Sequence, residues 1–125
     1  MKFRAICENH LYSKAYSKGK RAVTPALAVY ILPDFSAKRL AKAHPQKIIV
    51  NRIGLTTSTK LGKAVVRSRC RRIMREGLRL LEKKKDLKRG YLIVIAARGA
   101  SVNLKSTDIE KQLDIAFTKL DMYKQ

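Results

Sequence analysis

The densest chemistry in this chain lies between Lys60 and Arg75. The stretch reads Lys-Leu-Gly-Lys-Ala-Val-Val-Arg-Ser-Arg-Cys-Arg-Arg-Ile-Met-Arg. Seven of its sixteen residues are basic: Lys60, Lys63, Arg67, Arg69, Arg71, Arg72 and Arg75. No acid occurs between Asp34 and Glu76. Arginine predominates, and its planar fork matches phosphate oxygens bidentately and stacks on bases. On a helix, Arg67, Arg71 and Arg75 repel one another at i, i+4 and i+8. An anionic partner would offset that repulsion. The plainer alternative, a solvated basic face, leaves the cost standing.

Three tyrosines extend this chemistry. Tyr12, Tyr16 and Tyr30 have the ring area to stack on unpaired bases, as single-strand binders use it. They fit an apolar core equally well, because a tyrosine has an apolar body and a polar tip. Catalytic groups are not evident. A protein metallonuclease needs clustered carboxylates to hold Mg²⁺, and the nine acids here are scattered. His10 and His44 are the only histidines. An acid–base pair would require them to converge, and each reads as a surface residue. No catalytic residue and no metal ligand is therefore expected.

Helical spacing places the basic run. Val66, Cys70, Ile73, Met74, Gly77 and Leu81 form a stripe that predicts a helix over residues 64–84. At about 100° per residue, Arg71, Arg72 and Arg75 point away from that stripe, with Ser68 among them. Arg67 and Arg69 flank it. The helix start, near Gly62 to Val65, offers free N–H groups and a positive dipole end, bracketed by Lys60 and Lys63.

Around this helix the chain predicts a first helix from Asn9 to about Lys18, stopped by Gly19. A strand over residues 26–32 is opened by Pro25 and closed by Pro33. Residues 34–45 read as a mobile basic loop carrying Lys38, Arg39 and Lys42. Residues 47–57 form a long strand or two shorter ones, with Gly54 as a bulge or close-approach point. Residues 91–97 form a continuous apolar strand, hence a central one. A last helix follows, opened by a Thr107/Glu110 capping box and carrying Ile109, Leu113, Ala116, Phe117 and Leu120 on one face. The pattern predicts an α+β fold, a two-layer α/β sandwich. Its small mixed sheet has about four strands, covered by about three helices.

Length and charge agree. A chain of 125 residues fits a single RNA-binding domain spanning 1–125. Lys and Arg number 29 against 9 acids, a net charge of +20, which works against compaction unless a polyanion is bound. No apolar run approaches the roughly 20 residues that cross a bilayer. The N-terminus lacks the apolar segment of a signal peptide. No membrane role and a cytoplasmic location are expected, with Cys7 and Cys70 as free reduced thiols.

The stretch from Arg52 to Glu76 resembles the signature of the bacterial ribonuclease P protein component. In that pattern a strand ending Arg52-Ile53-Gly54 runs into Lys60-Leu61-Gly62-Lys63-Ala64-Val65-Val66-Arg67-Ser68-Arg69-Cys70-Arg71-Arg72-Ile73-Met74-Arg75. The family's Arg-Asn-Arg is here Arg67-Ser68-Arg69. Weaker matches include Tyr12 and Tyr16 on the first helix, Tyr30 on a strand, and residues 91–98. The resemblance implies a left-handed βαβ crossover, a fold shared with a ribosomal-protein domain. It implies a protein subunit without a catalytic centre, partnered by a catalytic RNA and precursor tRNA, with no obligate protein partner. The RNA removes the 5′ leader using Mg²⁺, and protein side chains alone hold no cofactor. By the same resemblance, Lys60, Lys63, Arg67, Ser68, Arg69, Arg71, Arg72 and Arg75 face the catalytic RNA. Tyr12, Tyr16, Tyr30, Arg52, Thr56 and Arg67 face the leader. A structural ribosomal protein shares size, charge and fold class, but not the full basic signature. A helix-turn-helix DNA binder is disfavoured because a strand precedes the basic helix.

Overall fold

The computed structural model describes residues 3–6, 9–43, 49 and 51–124. Five strands form one mixed sheet: β1 (Phe3–Ala5), β2 (Lys20–Val23), β3 (Leu27–Pro33), β4 (Asn51–Thr56) and β5 (Tyr91–Ala97). Their order is β1-β4-β5-β3-β2. β1, β4 and β5 run parallel, while β3 is antiparallel to both β5 and β2. Four α-helices accompany them: α1 (Asn9–Lys18), α2 (Ala37–Ala43), α3 (Ala64–Lys84) and α4 (Ser106–Lys119). α3 joins the parallel neighbours β4 and β5, completing the expected βαβ unit.

Side-chain alternation along the strands divides the interior in two. Leu27, Val29 and Ile31 of β3, Ile53 of β4, and Ile93 and Ile95 of β5 share one face. They pack with Ile73, Met74, Leu78 and Leu81 of α3 and Ile109, Leu113 and Phe117 of α4. On the other face, Leu32, Leu92 and Val94 pack under Leu11 and Ala15 of α1. β5 is central and buried on both faces, as its unbroken apolar run predicts. Each large aliphatic side chain so buried contributes about 1.5–3 kcal/mol.

α3 has the expected limits, with Leu78 added to its buried stripe and Val66 only half-buried. Gly62 makes the entry. Its φ of 139° suits glycine, and its N–H donates to the Thr59 carbonyl at 3.3 Å. The face of α4 is likewise as expected, with Leu120 packed at its margin. Cys70 is free and buried, and Cys7 lies outside the described residues.

Four expectations need correction. The loop expected over 34–45 holds a helix instead, α2, at residues 37–43. The Asp34 carboxylate accepts from the Ser36 N–H at 3.0 Å, and the Asp34 carbonyl from the Ala37 N–H at 3.1 Å. Ala37, Leu40 and Ala41 then turn inward at helical spacing. The strand expected over 47–57 is shorter, Asn51–Thr56; residues 44–48 and 50, His44 included, lie outside the described residues. Two strands were unexpected. β2 buries only Ala22, so its charged edge carries no apolar alternation to read, and β1 has three residues. The fourth correction concerns α4, which opens two residues early. Asp108 accepts from the Lys105 N–H at 3.0 Å, while Glu110 pairs with Lys84 at 2.6 Å.

Candidate nucleic-acid interface

Cross-strand register sets out a floor on the α1 face of the sheet. Gly54, Val94 and Tyr30 form one row, and Thr56, Ala96 and Ala28 the next. α1 crosses this floor, held by Leu11 and Ala15. A Cβ at Gly54 would lie 2.5 Å from both a ring carbon and the hydroxyl of Tyr12. Glycine at that position is what lets the Tyr12 ring rest against the strand, which makes Gly54 the close-approach point foreseen. The Tyr16 hydroxyl lies 3.2 Å from Thr56 Oγ1. Its ring meets Tyr30 edge-to-face, with centroids 4.8 Å apart and planes at 84°.

The three tyrosines and Thr56 thus converge, and burial grades them. Tyr12 and Tyr30 are half-buried against the smaller core, whereas Tyr16 is 43% exposed. The core reading therefore holds in part for Tyr12 and Tyr30. The three rings line the junction between α1 and the sheet, the tyrosine cleft, beside the small residues Ala28 and Ala96.

The adjacent residue, Thr57, connects this cleft to the basic helix. Arg71 Nη1 donates to Thr57 Oγ1 at 2.7 Å, and Arg71 Nη2 to Ser68 Oγ at 3.1 Å. Arg69 reaches the other way, donating to the carbonyls of Val102 and Leu104 at 2.9 and 3.0 Å. Its charge therefore sits on a strut between α3 and the segment before α4. Arg67 is half-buried, and its Nε is shielded without a hydrogen-bond partner. Such an orphaned donor costs free energy until an acceptor arrives. Lys60, Lys63, Arg72 and Arg75 are exposed. Among the described residues, none of the seven cations from Lys60 to Arg75 meets a carboxylate.

Arg52, expected to face the leader, is instead engaged inside the fold. Its Nε and Nη2 bind the two Asp34 carboxylate oxygens at 2.7 and 2.8 Å, and only 10% of its side chain is exposed. It fixes β4 to the segment after β3, beneath the cleft. Sequence reasoning also missed Val65, 81% exposed beside Ser68, Arg69 and Arg72 in an open groove of about 570 Å³. Its apolar type at a position off the stripe was the available signal. No group of three or more His, Cys, Asp or Glu among the described residues is placed to hold a metal ion. His10 is exposed. No described helix is long and apolar enough to cross a membrane.

The family model for ribonuclease P matches residues 1–121. The chain belongs to the ribonuclease P protein family. It is 34% identical over 119 residues to the ribonuclease P protein component of Clostridium acetobutylicum, covering 95% of this chain and 90% of that one. It is 32% identical over 123 residues to that of Clostridium botulinum, covering 98% and 99%. In fold it is similar to the RNase P protein of Staphylococcus aureus. The TM-score is 0.73 at 21% identity, over 96% of this chain and 97% of that one. The RNase P protein of Thermotoga maritima gives a TM-score of 0.62 at 20% identity, covering 83% of this chain and 86% of that one.

Proposed function

We propose that this chain is the protein subunit of ribonuclease P, and that it assists removal of the 5′ leader from precursor tRNA by a catalytic RNA. The observation that carries this reading is the continuity from cleft to helix through Thr56, Thr57 and Arg71. One strand end and one helix thereby present two different surfaces side by side. Lys60, Lys63, Arg67, Ser68, Arg69, Arg71, Arg72 and Arg75 meet the catalytic RNA. Tyr12, Tyr16, Tyr30, Thr56 and Arg67 meet the leader, over a floor that Arg52 holds in place.

The chemistry follows from charge and stacking. Two RNAs brought together repel, and +20 of protein charge offsets that repulsion and favours Mg²⁺ occupancy between them. Mg²⁺ enters with the RNA, and the RNA cleaves. Aromatic stacking is indifferent to base identity, which suits a leader that differs between tRNA genes. The orphaned Arg67 Nε has an acceptor to gain from phosphate or base at the junction of the two surfaces.

Reconstitution tests the proposal. Adding the protein to a matching catalytic RNA at limiting Mg²⁺ is expected to restore precursor-tRNA cleavage. Cleavage by the protein alone at a comparable rate would refute the division of labour.

A further inference from the structure

A second exposed aromatic lies on the far side of α1. Phe35 is 81% exposed, the highest of any aromatic among the described residues. One face of its ring carries the Lys14 ammonium, 5.1 Å from the centroid. Lys38, Ile49 and Arg89 share its groove of about 410 Å³. The groove's carboxylate is Asp34, which is 7% exposed and already bound to Arg52. Lys38 and Arg39 project from the outer side of α2, both exposed.

This place is built rather than incidental. Asp34 accepts from the backbone that starts α2 and also locks to β4. That sets the Phe35 backbone at the entry to α2, with its ring beside Lys14 of α1. At about 100° per residue, Lys14 and Lys18 project on one side of the buried Leu11–Ala15 line, and Tyr12 and Tyr16 on the other. α1 therefore separates two aromatic sites, each with cations beside it. A helix is about 10 Å across, a span that a few extended nucleotides cover.

We propose that Phe35, Lys38, Arg39 and Arg89 form a second contact for single-stranded RNA, taking the upstream part of a long leader after it crosses α1. An unpaired base stacks on the ring face opposite Lys14, while Lys38, Arg39 and Arg89 receive phosphates. The inference rests on the leader reading of the tyrosine cleft. Charge complementarity selects RNA over a lipid surface, because a lone ring with a cation over one face offers little apolar area to a bilayer.

The test uses holoenzyme reconstituted with full-length protein and three ligands: precursor tRNA with a short leader ending within the cleft, precursor tRNA with a long leader, and mature tRNA. Phe35→Ala should weaken binding of the long-leader substrate by about fivefold or more, and leave the other two unchanged. The double variant K38Q/R39Q should lower the log–log salt slope for the long leader alone, by about 1.4, two single-strand phosphate contacts. Tyr16→Ala serves as the control, weakening both precursors and sparing mature tRNA. A Tyr16→Ala without effect would defeat the cleft reading, whereas the ratio of long to short leader reports on Phe35 independently. Equal loss for all three ligands in Phe35→Ala would assign the surface to the catalytic RNA and overturn the proposal. No loss for any, or loss only of binding to anionic phospholipid vesicles, would overturn it as well.

Discussion

The two halves of α3 handle charge in opposite ways. From Ala64 to Arg75 the cations stand without a carboxylate among the described residues. From Glu76 onward acids appear both on the helix and opposite it. Glu76 pairs with Arg79, Lys84 with Glu110 and, just past the helix end, Lys85 with Asp114. Glu76 and Asp114 sit below their ordinary carboxylate range. The largest causes are the Arg79 guanidinium for Glu76, and for Asp114 the Tyr123 hydroxyl followed by Lys85. One buried stripe serves both halves, so packing does not explain the contrast. The second half is paired within the fold itself; the first has no such pairing among the described residues.

The contrast is broken most severely by reversing charge in the first half. Arg72→Glu with Arg75→Glu should weaken binding to the catalytic RNA by orders of magnitude and flatten its salt dependence, with thermal stability unchanged or slightly raised. Lys84→Gln, in the second half, should leave the RNA affinity nearly intact. Equal losses from both, measured by filter binding across a salt series, would erase the distinction.

Next in size is the cleft. Tyr16→Ala should cost roughly 1–3 kcal/mol of precursor-tRNA binding per base unstacked, without affecting mature tRNA. Tyr12→Ala and Tyr30→Ala should also lower the melting temperature, because both rings pack on the smaller core. Parallel loss of precursor and mature binding in Tyr16→Ala would make its ring structural only.

Within the first half, Arg67 and Arg69 should separate. Arg69→Ala forfeits two hydrogen bonds to backbone carbonyls and should destabilise the protein by about 1–3 kcal/mol. Arg67→Ala should spare stability while lowering the salt slope by just under about 1. A denaturant titration beside the binding series distinguishes them. Had Arg69→Ala left stability untouched, its bonds to Val102 and Leu104 would be idle.

The smallest effect concerns acid. Because the folded Asp114 pKa is depressed, its contribution is present above the unfolded value, about 3.9, and is lost as pH falls through the folded one. Asp114→Asn should reduce the steepness of acid unfolding below about pH 4, leaving RNA binding unchanged. An acid-unfolding curve identical to the parent's would remove Asp114 from that account.

Local periodicity made much of this legible. α3, α4 and β5 announce themselves because each buries a regular apolar pattern, and the basic face follows from α3's spacing. The convergence of Tyr12, Tyr16, Tyr30 and Thr56 was visible only through family resemblance. The rest depends on contacts between distant residues. Arg69 finds carbonyls 33 and 35 residues away, and Arg52 finds Asp34 at a separation of 18. Neither partner has a signal at the arginine itself. α2 was readable in principle from Ala37, Leu40 and Ala41, but the charges between them masked a short apolar stripe.

Only residues 57–63 separate the end of β4 from the start of α3, and the Arg71–Thr57 bond ties that connection down. Thr56 and Arg67 therefore cannot drift apart independently. On the proposed function the protein acts as a gauge block: the offset between leader and catalytic RNA is set by the length of a short, braced connection. Substrates with unrelated leaders would then be presented at a common distance, a constancy that base recognition could not supply.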